Sequence, residues 1–486
     1  MYKEEAFVFN RSFDPNHFLA WLSVGLVIYL WISIQPEHHR KTHYVAPIFG
    51  ASLALAQVVG FSWGAVGVGF AFCVSMLVFV SIEKPAHAVS LMLILYVCRP
   101  WEVMPSNDAW LQVPRWCIWF WLLVWLASSL REAKFEYLRP IRSRGFIKFF
   151  VMGLWALASV SVSSNVEGSL RYYADTLFRA QFLVVVIALT VRSRSDVRLV
   201  SFAFALGIAT LCLSSLWRFE GYDATIDVPK LLEGESVSVK RLEAFGSLGN
   251  SNDIAAVATI PLGFSLPLIF CRNASVVQRV FALLVVALIG RVVVASQSRG
   301  ALLALLVQAG LYAISRSKKP TRLAALLVLA VSISLPVLSH LIGRNADDLD
   351  ASTESRMNYY VTGMRMAIYS PIFGQGFGRY PYEFERFSTE TLHEWGLRTA
   401  HSSWILVLSE TGFVGLFIFL LINIRMFNAC WKMRDAHPAL LLALAGYSFS
   451  ILFLSHTWLM FPWILFSIIE VAFYFHTKGE AVNGRA

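Results

Sequence analysis

Charged residues are scarce in this chain of 486 residues: they make up 15%, against 57% hydrophobic and 14% aromatic residues. A soluble domain carries about 25% charged residues. The deficit, the mean hydropathy of +0.60 and the many apolar runs of about 20 residues exclude an ordinary soluble protein and indicate a polytopic membrane protein. The runs are continuous rather than alternating, so we predict membrane-spanning helices and not a β-barrel.

Several motifs of well-known chemistries are also missing. The sequence has no Walker motif, GxSxG elbow, HExxH pair or paired CxxC, which argues against an ATP-driven pump. The six cysteines lie in or beside apolar runs and contain no CxxC pair, so we interpret them as packing residues that imply neither a metal nor a disulfide. The long loops contain no spaced acidic pair typical of metal ligands. We therefore expect no metal and no cofactor.

The apolar runs predict the fold class. They indicate an all-α polytopic membrane protein with roughly 12–15 transmembrane helices and a large extracytoplasmic loop that carries short helices. About fifteen apolar segments can be counted by these criteria, near residues 18–34, 45–61, 63–82, 87–98, 114–130, 146–163, 173–192, 197–217, 254–270, 276–295, 299–315, 322–341, 401–425, 438–456 and 458–475.

Basic residues predict the orientation of these helices. The formal net charge is +10, and in a membrane protein such an excess marks cytoplasmic loops rather than a nucleic-acid partner. The Lys- and Arg-rich loops fall on one side if the segments alternate, and they are 131–148, 192–198, 315–322 and 425–435. With that side cytoplasmic, the C-terminus is cytoplasmic and the two longest loops, 218–253 and 342–400, are extracytoplasmic.

The loop 342–400 has a distinctive composition. It holds six arginines and no lysine, which suits an anionic ligand because guanidinium binds phosphate bidentately, although a solvated loop of mixed charge explains it equally well. Helical spacing predicts a short amphipathic helix at the membrane surface, with Met357, Tyr360, Val361, Met364 and Ile368 on its apolar face. Pro371 should end this helix, and Gly374, Gly376 and Gly378 should allow tight turns or close approach to a ligand.

Two ionisable residues stand at the start of the next apolar run. His401 lies where the loop meets the membrane, so it is a candidate general base, although a lone interfacial histidine is more often a helix anchor. Glu410 follows nine residues later, and along one straight helix it would point to the opposite face, about 13 Å deeper. We therefore predict a structural, hydrogen-bonded role for Glu410 near Gly412 and Gly415.

Five further residues are candidates for anion binding or support. Arg299 should lie at the extracytoplasmic mouth between two spans, where it either pairs with phosphate or anchors the helix end. Arg241 precedes GSLGNSND, in which Asn252 or Asp253 should cap a helix whose N-terminus attracts anions. Arg179 lies within an apolar run and should have a partner such as Glu410 or a lipid phosphate.

Four stretches carry a family resemblance. RLEAFGSLGNSNDIAA, ASQSRGALLALL, SRMNYYVTGMRMAIYSPIFGQGFGRYP and HSSWILVLSETGFVGLFIFLL occur in that order. Together they resemble the O-antigen ligase and O-antigen polymerase superfamily of bacterial membrane glycosyltransferases. The N-terminal part, with LYVCRPWEVMP, resembles the extension of a subgroup of O-glycosylation ligases. The resemblance implies a transmembrane extension over residues 1–140 and a ligase-like catalytic domain over 141–486 that includes the loop 342–400.

The resemblance also implies a reaction and a set of site residues. Such enzymes have a GT-C type of membrane fold. They transfer a glycan from undecaprenyl diphosphate to a hydroxyl of lipid A–core, another glycan or a protein, by metal-independent inversion at the periplasmic face of the inner membrane. The family motif places His401 as the base, and Arg241, Arg299 and Arg356 would stabilise the departing diphosphate. Asn252, Gly376 and Glu410 would support the site, and apolar grooves would hold the polyprenyl tail.

Two alternatives remain open. A polymerase of the same superfamily would add repeat units to a growing chain with the same donor chemistry. A transporter or flippase for a lipid-linked glycan would need no base at His401 and would show an internal repeat with polar groups near the membrane midplane. The sequence has no internal repeat, and its candidate charges cluster toward one face.

Overall fold

The structure is a computed structural model that describes residues 22–24, 26–28, 84–99, 113–132, 143–221, 225–229, 236–244, 248, 250–316, 347–388 and 399–483. The chain divides into two compact units. Unit 1 comprises residues 1–133 with 199–254, and unit 2 comprises 134–198 with 255–486. The predicted segments 45–61, 63–82 and 322–341 and most of 18–34 lie outside the described residues.

Three apolar helices form most of the described part of the core of unit 1. Helix α1 (Ala86–Cys98) is buried on all sides and packs against α2 (Val113–Glu132). Gly207 of α6 (Arg194–Gly221) lets that helix approach α1 closely, since an added Cβ would touch Ile94 and Val97. The thiol of Cys98 donates to the Gly207 carbonyl oxygen at 3.4 Å. This cysteine therefore packs as the sequence predicted.

Unit 2 contains most of the described helices. They are α3 (Arg144–Val160), α4 (Val166–Tyr173), a π-helical turn (Ala174–Phe178), α5 (Arg179–Thr190), α7 (Ser251–Phe270), α8 (Val276–Ser296), α9 (Arg299–Arg316), α10 (Asp347–Tyr369), α11 (Tyr380–Phe387), α12 (Ser403–Lys432), α13 (Pro438–Ser450) and α14 (Met460–Asn483). A single 3₁₀ turn, Ile451–Phe453, follows α13. The first residues of α7, Ser251–Ile254, belong to unit 1.

Six helices among the described residues are long and apolar enough to cross a membrane. They are Val166–Thr190, Arg194–Glu220, Ser251–Phe270, Val276–Ser296, Ser403–Lys432 and Met460–Lys478. Shorter apolar helices occur at Ala86–Cys98, Cys117–Leu126 and Pro438–Phe453. The predicted all-α polytopic membrane fold is thereby confirmed.

The loop 218–253 contains a feature that the sequence did not predict. Strands β1 (Thr225–Pro229) and β2 (Ser236–Lys240) form an antiparallel hairpin in which Thr225 pairs with Lys240 and Pro229 with Ser236. Hydrophobic periodicity was dominated by the helices, and so short a hairpin leaves a weak signal.

Helix α12 is broken at Gly412 in the middle of unit 2. Gly412 has φ 70° and ψ −173°, a conformation open essentially to glycine alone. The break frees the amide of Phe413, which donates to the Pro371 carbonyl oxygen at 2.8 Å, while the Gln375 amide donates to the Ser409 carbonyl oxygen at 2.8 Å. The turn after α10 is thus hydrogen-bonded into the break of α12, so the loop and the span are held as one piece.

Beyond the break, α12 has one apolar face that is open to its surroundings. The exposed large side chains recur at helical spacing along it, at Phe413, Phe417, Leu420, Ile424, Phe427 and Trp431. Helix α3, which packs beside α12, has a similar face at Ile147, Val151, Leu154 and Leu157. Apolar stripes of this kind suit contact with lipid.

Candidate functional site

His401 lies just before helix α12 and has an unusual backbone. Its φ is 45°, in the left-handed region that a non-glycine residue rarely adopts. The imidazole stacks on the ring of Tyr359, with centroids 5.2 Å apart and 28° between the planes. The hydroxyl of Tyr360 donates to the His401 carbonyl oxygen at 3.3 Å. Two consecutive tyrosines of α10 therefore fix the ring and the backbone of this histidine.

Burial keeps the hydroxyls of Tyr360 and Tyr380 protonated, so both remain hydrogen-bond donors at neutral pH. Burial raises the pKa of Tyr360, and the nearby Arg356 opposes part of that rise. Burial also raises the pKa of Tyr380, chiefly because the phenolate would lose its hydration. The Tyr380 hydroxyl donates to the Tyr359 carbonyl oxygen at 2.9 Å. Tyr380 thus holds the backbone of the residue whose ring stacks on His401.

The start of α12 is hydrogen-bonded to the segment that follows α13. Ser403 donates through its hydroxyl to the Leu454 carbonyl oxygen at 2.7 Å and accepts from the His456 amide at 3.0 Å. The Thr457 hydroxyl donates to the Ser403 carbonyl oxygen at 3.1 Å. These bonds bury polar atoms without loss of partners, and they place the 451–457 turn beside His401.

Arg356 and the residue next to Arg299 both lie close to Phe453 in this turn. The Arg356 guanidinium lies 5.9 Å from the centroid of the Phe453 ring, within range of a cation–π interaction. Gly300, the neighbour of Arg299, faces the same ring, since an added Cβ would lie 3.6 Å from Phe453. Arg299 is the first residue of α9, and the Ser298 hydroxyl accepts from the Ala301 amide at 3.4 Å as a helix cap. Arg356, His401 and the N-terminal end of α9, where Arg299 stands, are therefore grouped around the same turn, in unit 2.

Arg241 belongs to unit 1. It follows β2 directly, and its positive charge acts on Glu243, as does that of Arg218. Burial raises the pKa of Glu243 and outweighs the opposing pull of these two arginines. Arg241 thus has an acidic neighbour two residues along the chain, which the sequence-based assignment of Arg241 to diphosphate did not consider.

The predicted cap at Asn252 or Asp253 is wrong by two or three residues. The Asn250 side chain accepts from the Asn252 amide at 2.8 Å, and its carbonyl accepts from the Asp253 amide at 3.0 Å. Asn250 is therefore the N-cap of α7, since a capping side chain accepts from the second or third amide of the helix. GSLGNSND holds several residues able to cap, and spacing alone did not distinguish them.

Glu410 is buried, with 1% exposure, and has three hydrogen-bond donors. The Tyr380 amide donates to one carboxylate oxygen at 3.1 Å, and the Trp458 indole donates to the other at 2.7 Å. The Gly378 amide donates as well. Glu410 therefore makes its hydrogen bonds with residues other than His401, and it ties the turn before α11 to both α12 and the segment before α14.

The three glycines between α10 and α11 all have positive φ: 68° at Gly374, 101° at Gly376 and 72° at Gly378. Gly376 also approaches the turn between α3 and α4, since an added Cβ would lie 2.7 Å from the Cβ of Ser163. The expected tight turns and close backbone approach are both present. The group that approaches Gly376 is thus Ser163 of the protein itself, and no ligand is needed to explain a glycine at this position.

Two further expectations, one about the loop 342–400 and one about Arg179 of α5, have different outcomes. Met357, Val361, Met364 and Ile368 share an exposed face of α10, while Tyr360 turns toward His401. Arg179 was expected to be buried with a partner such as Glu410, and this is wrong. Its guanidinium is exposed and pairs with Asp175 at 2.5 Å, one helical turn away. The π-helical turn places both side chains on the outer surface of this helix.

Several residues of the site escaped sequence reasoning: Tyr359, Tyr380, Arg379, Ser403 and Trp458. The tyrosines and Trp458 looked like ordinary apolar-face residues, since their roles depend on contacts 21 to 48 residues away in the chain. Arg379 was counted only among the six loop arginines. The run of positive-φ glycines immediately before Arg379 was the available signal that its backbone is fixed.

Comparison with known protein families gives a match over the segment that contains most of these residues. Residues 282–420 match the family described as O-antigen ligase. No curated protein matches the chain. The matched segment contains Arg299, Arg356, His401 and Glu410, and the family supports glycan transfer of the ligase or polymerase type in general. The resemblance predicted from the sequence motifs is thus confirmed for residues 282–420, which are similar to the O-antigen ligase family, and the chain is a multi-pass membrane protein.

Proposed function

We propose that the chain transfers a glycan from undecaprenyl diphosphate to an acceptor hydroxyl, with inversion and without a metal, at the periplasmic face of the bacterial inner membrane. The observation that carries the proposal is the grouping of Arg356, His401 and the N-terminal end of α9 around the 451–457 turn. Arg299, Arg356 and His401 all lie within the residues that match the O-antigen ligase family. The acceptor is a hydroxyl of lipid A–core or of a protein. A GT-C type of architecture is part of the same proposal.

The proposed reaction assigns a task to each group. The acceptor oxygen attacks the anomeric carbon of the donor sugar, and the bond from that carbon to the diphosphate oxygen breaks. The leaving diphosphate takes the electron pair, and the acceptor proton passes to the imidazole of His401. Arg299 and Arg356 stabilise the charge that develops on the leaving group, together with the N-terminal dipole of α9.

The contacts of His401 with Tyr359 and Tyr360 support its assignment as base. A general base must stand in a fixed orientation within hydrogen-bond reach of the acceptor hydroxyl. Stacking on Tyr359 restricts the rotation of the imidazole, and the Tyr360 bond fixes the backbone in its left-handed conformation. An anchoring histidine would need neither restraint. Arg241 remains a proposed diphosphate ligand, with Glu243 as its acidic neighbour.

The test is transfer by the purified full chain in lipid vesicles that contain an undecaprenyl-diphosphate glycan and candidate acceptors. His401→Ala should lower kcat by about 100-fold or more, since general base catalysis contributes about 10²–10⁴. His437→Ala, which alters the histidine before α13, is the matched control and should transfer normally. Normal turnover by His401→Ala would remove the proposed base.

The same assay distinguishes the other functions. A single glycan addition to lipid A–core or protein supports a ligase, while a ladder of repeat units on the carrier indicates a polymerase. Movement of the donor across the vesicle membrane without any glycosylated product would indicate a transporter and contradict the proposal.

A further inference from the structure

Arg379 is a buried cation that lies between the glycine turn and α11. Its exposure is 9%, and its Nε atom is buried without a hydrogen-bond partner. The guanidinium carbon lies 4.3 Å from the centroid of the Tyr382 ring. Within the described part of the chain, no carboxylate oxygen lies within 4.0 Å of this guanidinium. A buried guanidinium with a bare N–H group is costly for a fold to keep, and so it points to a function.

Glu410, the acid on which the charge of Arg379 acts, does not neutralise it by contact. Glu410 attracts Arg379 electrostatically, but its oxygens accept from the amides on either side of Arg379, those of Gly378 and Tyr380, and from the Trp458 indole. Neutral donors therefore satisfy this carboxylate. The backbone at Arg379 is fixed by the same bonds, so its side chain starts from a rigid position.

The aromatic neighbour determines how an anion can reach the guanidinium. Tyr382 covers one face of the group, whereas all guanidinium N–H bonds lie in its plane and point outward. An oxyanion that enters in this plane can accept from Nε and a terminal nitrogen together, the bidentate geometry preferred by phosphate and carboxylate. Tyr380 connects this position to His401 through Tyr359.

We propose that Arg379 binds an oxyanion of the glycan substrate, either a phosphate of the carrier or a carboxylate of an acidic sugar; this assignment rests on the glycan transfer proposed above. Arg379 then forms a second anion subsite, in addition to the one proposed for Arg299 and Arg356. Its role is to bind and orient substrate while His401 takes the proton. Glu410 acts on it as a positioning residue, through the amides that flank Arg379.

The test measures binding to the purified full chain in detergent by calorimetry, without an acceptor. The probes are farnesyl diphosphate against farnesol for the phosphate source, and glucuronic acid against glucose for the carboxylate source. Arg379→Gln should weaken binding of one charged probe by about 10-fold or more, as expected for a lost charge-assisted hydrogen bond. Binding of the neutral probes should not change. The probe that responds identifies the source of the oxyanion.

Arg386→Gln is the matched control. Arg386 also lies over aromatic rings, those of Tyr369 and Phe387, but it is exposed and has Glu383 3.7 Å away. The control should bind every probe like the wild type. Equal loss in both variants would reduce the effect to general loop charge and overturn the proposal.

Thermal unfolding without ligand separates binding from a structural role. If the Arg379 guanidinium serves to bind an anion, it contributes little to the stability of the protein without ligand. Arg379→Gln should therefore unfold at the wild-type temperature or above it. A lower unfolding temperature with unchanged probe binding would make Arg379 a structural residue and overturn the proposal. Arg379→Lys keeps the charge without the fork, and it should bind the charged probe more weakly than the wild type and more tightly than Arg379→Gln.

Failure of this proposal differs from failure of the proposed function. If Arg379→Gln binds both charged probes normally while glycan transfer still requires His401, the subsite is wrong and transfer stands. If Arg379→Gln loses a charged probe while the wild type forms no glycosylated product from any donor, the anion site stands and the proposed transfer is wrong.

Discussion

Two buried carboxylates of unit 2 are held in opposite ways, and both are only 1% exposed. Glu470 of α14 pairs with the guanidinium of Arg425 through two bonds, at 2.8 and 3.1 Å, and accepts from the Ser143 hydroxyl at 2.8 Å. Glu410 of α12 accepts instead from two backbone amides and an indole. The cation nearest to Glu410, Arg379, remains outside contact distance.

The difference shows where the fold neutralises charge internally and where it leaves charge for a ligand. At Glu470 the acid and the base satisfy each other, and the Arg425 guanidinium also lies over Phe473. At the other end, Arg356 and Arg379 lie over aromatic rings and have no carboxylate within 4.0 Å among the described residues. Aromatic support holds a guanidinium in place without neutralising it. The region around His401 therefore has cations that are held in position and can still bind an anion.

The largest effect is expected at the self-neutralised pair. Arg425→Gln leaves the Glu470 carboxylate buried without its cation, which costs about 3 kcal/mol, since breaking a buried pair typically costs 3–5 kcal/mol. The purified variant should unfold at a clearly lower temperature in detergent. The folded fraction should keep wild-type kcat, because the pair lies roughly 36 Å along α12 from His401.

Arg434→Gln is the matched control for that pair. Its guanidinium rests on the Trp431 ring near the same helix end, so its loss should leave the unfolding temperature nearly unchanged. Equal destabilisation by both substitutions would show that Glu470 does not depend on its ion pair, and the proposed contrast between the two carboxylates would fail.

A second effect is expected at the helix break beside Glu410. Gly412→Ala places alanine in a backbone conformation that essentially only glycine adopts, which costs about 1–3 kcal/mol in strain alone. Its Cβ would also clash with the Ile372 carbonyl oxygen. The variant should unfold at a lower temperature, and its kcat should fall as the turn that Glu410 holds shifts.

Gly290→Ala provides the comparison for the break. Gly290 lies inside α8 with open space at its Cβ position, so alanine should be neutral or stabilise by up to about 1 kcal/mol. If Gly412→Ala were as harmless as Gly290→Ala, the break in α12 would not be required for the placement of Glu410.

The sequence predicted the spans well and the contacts poorly, for a physical reason. Apolar length is a local signal, so the limits of α7, α8 and α9 agree with the predicted runs to within a few residues. The partners of Glu410 come from residues 30 and 48 positions away, and only the folded chain brings them together. The spacing along one helix argued against His401 as a partner of Glu410, but it could not identify Tyr380 or Trp458.

Single residues in polar loops were hardest to predict. The cap of α7 was assigned to Asn252 or Asp253 although Asn250 makes the bond, because all three residues have a side chain that can cap a helix. The role of Arg356 as a diphosphate ligand came from the resemblance and stays a prediction. Its position over Phe453, a residue 97 positions later in the chain, depends on packing that periodicity does not encode.

The smallest effect concerns the restraint on His401. Tyr360→Phe removes one hydrogen bond to a carbonyl oxygen, at a cost of about 1 kcal/mol in stability. The left-handed backbone of His401 then has one restraint fewer, so the imidazole should sample more orientations and kcat should fall by about 10-fold or less. KM should stay the same, since Tyr360 donates to the backbone of the proposed base and is not assigned to substrate. Tyr312→Phe, a change in α9 at the ring that stacks on Phe270, should leave both constants unchanged. A rise in KM with normal kcat in Tyr360→Phe would place Tyr360 in substrate binding and leave the orientation of His401 to Tyr359 alone.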